Sequence, residues 1–252
     1  MSAVAWVSGD PVDVSEVDTL EAALRSGPVG PTLPRERTGE GRQLRRWLVQ
    51  VLVAERLVAV EAAARGLDAA GAPGLFDLAP DRAAMLGLGS VAADLLTRSA
   101  LARTVFVAVT EHVTVTPDAV AEFHERNPER FRVPEERVVT HTIDDGPPRR
   151  RVLRRGQLTG PVEDAVFGAA GERAGPVRDP LGTHTVVVEQ VRPARVRPLA
   201  QAREEITAHL LACARRRAFT AWLDRHAAAD VRLAPGFEHP GDPGQPDNTH
   251  RH

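Results

Sequence analysis

The C-terminal stretch gathers His239, Asp242, Asp247, His250 and His252 within 14 residues. Neutral imidazoles and carboxylates are ligands for zinc, nickel, copper or iron, and a His-x-His pair on a free tail can close around an ion. His239, His250 and His252 are therefore candidate ligands for a transition metal. The plainer alternative is a solvated or partner-binding tail. A second cluster, RRRVLRR over 149–155, carries five arginines in seven residues. Guanidinium forks suit phosphates and acidic partners, while a solvated hairpin face needs no ligand at all. Glu122, His124 and Glu125 lie close together, but adjacent positions do not share a helix face, so this is not an HExxH zinc site. Cys213 falls among apolar positions and is expected to be buried, with His209 one turn before it as the one candidate base. GxSxG, P-loop and dinucleotide fingerprints are absent.

Composition narrows the chemistry further. All 32 basic residues are Arg and none is Lys, which removes Schiff-base and Walker-lysine chemistry. Tyr is absent, and Ile and Asn occur twice each, the usage of a GC-rich, actinobacterial-like genome. Arginine clusters therefore say less about phosphate than they ordinarily would. A net charge of -2 and pI ≈ 6.5 lack the basic footprint of a nucleic-acid binder. No apolar run reaches the ~18 residues of a membrane span. The single cysteine excludes an internal disulfide framework and any CxxC motif. The first residues, MSAVAWVSGDPVDVSE, show neither a basic n-region nor an apolar h-region, and a reducing, cytoplasmic location is expected.

The elements that must position these groups begin with a helix capped at Ser15 and running to Arg25. A Gly/Pro-rich loop follows over 27–41. Leu44, Trp47, Leu48, Val51, Leu52 and Val58 then repeat at helical spacing until Gly66. Residues 68–88 are Ala, Gly and Pro rich, with one short turn. Ser90 opens another helix, whose β-branched end TVFVAVTEHVTV reads equally as a strand. Thr116-Pro117-Asp118 starts a helix that ends before Asn127-Pro128. From about 134 the texture turns to strands: 137–144, 149–155, 175–177 and 184–191, with a two-turn helix at 161–168. A long helix runs from Pro198 to about Ala228, and the Pro/Gly/Asp content of 234–252 predicts a disordered tail.

Several stretches carry a resemblance. VSGDPVDVSEVD looks like the opening of SurA/PrsA-type chaperones, and RQLRRWLVQVLVAERLVAVEAAARGL is similar to their second helix. VTPDAVAEFHERNPERF is similar to the segment leading into their parvulin (PpiC-like) peptidyl-prolyl isomerase module. Within that module THTID looks like the first strand, and QLTGPVEDAVFG with GPVRDPLGTHTVVVEQV looks like the last helix and last two strands. The resemblance covers about 1–230. It implies an α+β fold: a mostly helical SurA-N-like chaperone domain over 1–133, completed by helix 198–228, around a shortened parvulin-like β/α module at 134–197.

Carried over position by position, the parvulin histidines fall on His141 and His184, and the apolar proline-binding residues on Leu158 and Phe167. A parvulin has two helices between its first two strands, supplying an acidic or cysteine side chain to the site; here only about six residues, Asp144 to Arg149, connect them. Three readings of the histidines stay open: satisfied core residues, peptide binding without catalysis, and isomerisation. The resemblance implies a folding or maturation factor that binds apolar segments of a client or unfolded polypeptide. A dedicated cytoplasmic client is preferred, by likeness to the parvulin-like accessory factor for nitrogenase. The alternatives are an active peptidyl-prolyl isomerase, and a metal-delivery protein or structural subunit of a metalloenzyme. No resident cofactor is expected beyond a transition metal at the tail, and neither nucleic acid nor membrane is an expected partner.

Overall fold

The structure is a computed structural model that describes residues 2–168 and 173–242. In chain order its elements are β1 (Ala3–Val7), β2 (Asp10–Asp13), α1 (Val14–Ser26), α2 (Gly39–Arg65), α3 (Leu75–Leu78), α4 (Arg82–Leu88), α5 (Ser90–Arg98), α6 (Ala100–Thr110) and α7 (Pro117–Arg126). There follow β3 (Arg132–Val133), β4 (Glu136–Ile143), β5 (Arg149–Arg154), α8 (Pro161–Gly168), β6 (Arg173–Asp179), β7 (Gly182–Arg192), β8 (Arg195–Val196), α9 (Leu199–Asp230) and β9 (Val231–Leu233). Two compact units result: residues up to Val115 together with those from His209 onward, and Thr116–Ala208. Helix α7, grouped by sequence with the helical domain, lies in the second unit, and α9 runs from one unit into the other.

The first unit is helical with a small sheet in the order β2-β1-β9. Ser8 and Gly9 both take positive φ, 52° and 94°, which a two-residue hairpin needs to match strand twist. Helix α1 begins two residues earlier than a cap at Ser15 suggests: Asp13 is the cap, and its backbone N–H donates to Glu16 Oε1 at 3.0 Å. Helix α2 is bounded by Thr38, whose hydroxyl accepts the Gly41 N–H, and by left-handed Gly66 at φ 63°. It buries Leu48, Val49 and Val51 completely and forms the spine of the unit. The ambiguous stretch after Ser90 is two helices. Ser99 leaves helical geometry and caps α6 through the Ala102 N–H, and Ala102, Val105, Phe106 and Val109 then bury one helical face. Phe219 of α9, fully buried, packs on Phe106 at 5.1 Å and on Trp222 at 5.8 Å between ring centroids.

The tail read as disordered from residue 234 is held against this unit for its first residues. Strand β9 pairs antiparallel with β1, the Ala234 N–H donates to Val4 O, Arg46 Nε donates to Gly236 O at 3.1 Å, and Phe237 packs on the core. Apolar Phe237 supplies the burial that the surrounding Pro/Gly composition concealed.

The second unit is built on an antiparallel sheet in the order β5-β4-β7-β6, with α8 against one face. Val139, Leu153, Val162, Val166, Phe167, Val186 and Val188 form its core. The short pair β3–β8 and helix α7 flank it. The Thr116 hydroxyl caps α7 through the Ala119 N–H, and His124 Nε2–H donates to Arg197 O at 2.8 Å while its ring stacks on Phe131.

Candidate functional site

Strands β4 and β7 pair with His141 opposite Val186 and Ile143 opposite His184. The two histidines are thus diagonal neighbours on one face of the sheet, the spacing at which large side chains reach each other. Their rings stack with centroids 5.0 Å apart and an interplanar angle of 24°. His141 Nε2 and His184 Nδ1 share a hydrogen bond of 2.8 Å, and His184 Nε2 bonds Asp179 Oδ1, also at 2.8 Å. The result is a three-membered chain, Asp179–His184–His141.

Asp179 was not singled out from sequence. It ends β6, five residues before His184, and the turn Asp179-Pro180-Leu181-Gly182 folds it back over the imidazole; its Oδ1 also accepts the Leu181 N–H at 2.7 Å. Asp144 fixes the same turn from the β4–β5 loop, where its Oδ1 accepts the Thr183 N–H at 2.8 Å. Gly182 is required there: at φ +136° a Cβ would lie 2.5 Å from Asp144 Oδ2. Asp179 thus reaches the imidazole from the same end of the sheet as the short β4–β5 connection.

The chain has a direction. An ionised carboxylate only accepts, so His184 Nε2 carries a proton. With His184 neutral, its Nδ1 accepts from His141 Nε2–H, and the lone pair of the pair then sits on His141 Nδ1. Among the described residues that nitrogen has no hydrogen-bond partner. Burial pushes the Asp179 carboxyl up, but the Leu181 N–H, the His184 ring and the Gly182 N–H outweigh it and leave it below its ordinary value. His141 is held below the usual histidine value by burial first, then by His184 and the Arg151 charge, against an upward pull from Asp179. The two shifts favour an ionised Asp179 and a neutral His141 at pH 7.

The histidines are 8% and 4% exposed. Phe167 is 4% exposed and belongs to the sheet–helix core, with the Arg137 and Arg155 guanidiniums over its ring at 5.5 and 5.0 Å from the centroid. Leu158 packs at the edge of the same core. The structure therefore joins His141 to His184, while it encloses Phe167 rather than presenting it.

The other sequence candidates separate from this site. Three arginines of RRRVLRR are matched to carboxylates, Arg150 to Glu189, Arg154 to Glu136 and Arg155 to Glu135, the pattern of a solvated sheet edge. Cys213, expected to be buried, is half-buried; its sulfur lies 3.9 Å from His209 Nε2 and accepts from Arg216 at 3.2 Å. His239 Nδ1 accepts the Gly241 N–H in a local turn. His250 and His252 lie outside the described residues, and among the described residues no group of three His, Cys, Asp or Glu side chains clusters for a metal. Among the described residues no helix is long and apolar enough to cross a membrane.

Comparison with known proteins adds the following. A family of unknown function (DUF7158) matches residues 3–40, the opening hairpin, α1 and the loop after it. No curated protein matches the chain. Two solved structures are similar in fold, both from work on the virulence factor PEB4 and the periplasmic protein Cj1289, described as structurally related SurA-like chaperones of the human pathogen Campylobacter jejuni. One is 11% identical with a TM-score of 0.41, over 93% of this chain and 100% of the other. The second is 14% identical with a TM-score of 0.41, over 90% of this chain and 96% of the other.

Proposed function

We propose that the protein is a folding or maturation factor that binds a client polypeptide and holds a prolyl segment of it at the Asp179–His184–His141 chain. The observation that carries this reading is the His141 Nδ1 at the end of the hydrogen-bond chain, an acceptor that no protein group among the described residues takes and that is not closed off from the surface. Prolyl isomerisation breaks no bond. Its barrier is that of amide rotation, and a site lowers it by stabilising the twisted amide more than the planar one. A neutral imidazole acceptor set beside an apolar core supports grip on the peptide, and turnover is the second reading.

Aggregation of an unfolded substrate and turnover of a proline peptide, measured on the wild type and on His141→Ala, test both. Suppressed aggregation without turnover supports a binding factor. Turnover that collapses in His141→Ala supports an isomerase. Neither effect in the wild type would sink the proposal. A dedicated cytoplasmic client is the preferred refinement, supported by the sequence resemblance alone, and co-purification of one partner at fixed stoichiometry is its test.

A further inference from the structure

The pairing of β4 with β5 sets Arg149 directly opposite His141 and Arg151 opposite Val139. Opposite residues share a face of the sheet, and alternation along β5 keeps Leu153 on that face as well. Arg149 and Arg151 therefore stand on the face that carries the histidine chain. The core under α8 takes in Val139 and Leu153, while both arginines stay exposed. Arg150 and Arg154 alternate to the other face, where Glu189 and Glu136 pair with them at 2.7 and 2.8 Å. Arg149 and Arg151 have no such match: among the described residues neither guanidinium makes an ion pair or a hydrogen bond. Two carboxylates at this end of the sheet are already committed, Asp144 to the Thr183 N–H and Asp179 to His184.

Two like charges two residues apart on one strand face stand about 7 Å from each other and repel. The Arg151 charge also reaches His141, whose titration it pushes down. An anion held between the two guanidiniums relieves that repulsion, and a carboxylate fits a guanidinium fork in shape as well as charge. The neighbouring acceptor indicates what carries the carboxylate. His141 Nδ1 needs an N–H donor, and proline has none. The amide that meets it therefore belongs to a residue flanking the proline. From there an acidic side chain reaches the arginines, because cross-strand neighbours such as Arg149 and His141 lie only about 5 Å apart at Cβ.

We infer that Arg149 and Arg151 form an anion subsite beside His141, which selects client segments with a glutamate or aspartate flanking the proline. The inference rests on the client-binding reading and names the class of segment that the histidine chain receives.

The test follows the fluorescence anisotropy of a dye-labelled Ala-Glu-Pro-Glu-Phe peptide amide, beside counterparts with Gln or Lys in place of both Glu residues. The Glu peptide is expected to bind about tenfold more tightly than the Gln peptide, and about 0.5 M salt to remove most of the difference. In the double variant Arg149→Gln, Arg151→Gln the two peptides bind alike, at the wild-type affinity for the Gln peptide. Both positions are exposed, so the fold is not at stake. Arg150→Gln, on the opposite face, keeps the preference, and the double reversal Arg149→Glu, Arg151→Glu moves it to the Lys peptide. Equal wild-type affinity for the Glu and Gln peptides overturns the subsite and leaves the prolyl reading intact. So does a preference that survives the double variant. A loss as large in Arg150→Gln reduces the effect to overall charge and also overturns it. Arginine-dependent binding confined to a phosphoserine counterpart assigns the anion to a phosphoryl group and overturns the acidic class of segment. If no peptide binds, the prolyl reading itself falls and the subsite falls with it.

Discussion

Gly175 lies against the backbone of His184: at φ +96°, a Cβ on Gly175 would stand 2.6 Å from the His184 carbonyl oxygen. The bulge between Ala174 and Val177 in β6 brings the two strands to this approach. Gly175→Ala must therefore relieve both a backbone clash and a left-handed strain. A loss of about 1–3 kcal/mol is expected in urea unfolding. Gly156→Ala is the control, since Gly156 has φ +86° but open space around it. It carries the conformational cost alone, about 1–2 kcal/mol. Equal losses in the two variants would remove the steric argument.

Asp179→Asn keeps the shape of the turn but withdraws the charge that orders the imidazole protons. Because Asp179 pulls His141 upward against burial, the His141 titration is expected to move still lower in the variant. Nitrogen chemical shifts of the two rings read this directly: the acceptor-type signal at His141 Nδ1, well defined in the wild type, becomes averaged. An unchanged tautomer pattern would show that the carboxylate does not direct the chain.

The pH dependence of stability follows from the same histidine. Its folded value is below its ordinary 6.5, so the unfolded chain binds the extra proton first as pH falls. The stabilising contribution is complete above about pH 6.5 and is lost as pH falls through the folded value. Carboxylates held low, among them Glu135 and Glu189, have ordinary values of 4.5 and act only at lower pH. Urea midpoints taken from about pH 7 to 5 are expected to decline, with a flatter curve in His141→Gln. A decline of the same steepness in that variant would place the titrating group elsewhere.

Phe219 and Phe76 mark the two extremes of aromatic placement. Phe219 is fully buried in the helical core, whereas Phe76 on α3 is 76% exposed. Phe219→Ala is expected to cost about 3–5 kcal/mol in unfolding experiments. Phe76→Ala is expected to stay within about 0.5 kcal/mol. A large loss at Phe76 would mean that its ring is covered by a contact in the folded protein.

Local signals carried much of the fold. Gly66 ends α2, Thr116-Pro117 opens α7, and residues 161–168 are helical, because caps, prolines and left-handed glycines act within a few residues of themselves; the start of α2 at Gly39, capped by Thr38, lay hidden in the stretch read as a loop over 27–41. The pairing of β1 with β9 was not legible, since the two strands lie more than 220 residues apart along the chain. The split at Ser99 was missed for the opposite reason: periodicity continues across it, and only the Ser99 hydroxyl on the Ala102 N–H shows that the helix restarts. At the site, family likeness led to His141 and His184. Asp179 escaped because its partnership with His184 depends on the shape of the tight turn from Asp179 to Gly182. Phe167 was read from its type, while its enclosure by Arg137 and Arg155 belongs to packing.

The pairing of β1 with β9 also sets an order on synthesis. The first strand leaves the ribosome with its hairpin partner β2 close behind, but its other edge stays open until Val231–Leu233 have been made. In the interval the whole of Thr116–Ala208 is translated and has every strand of its own four-stranded sheet. The inserted unit is thus complete before its host is, and the helical unit reaches its final form only when α9 and the strand after it arrive to close the edge. A ribosome stalled shortly before β9 would display a finished sheet module beside a helical unit with an exposed strand, ready to pair with the wrong neighbour.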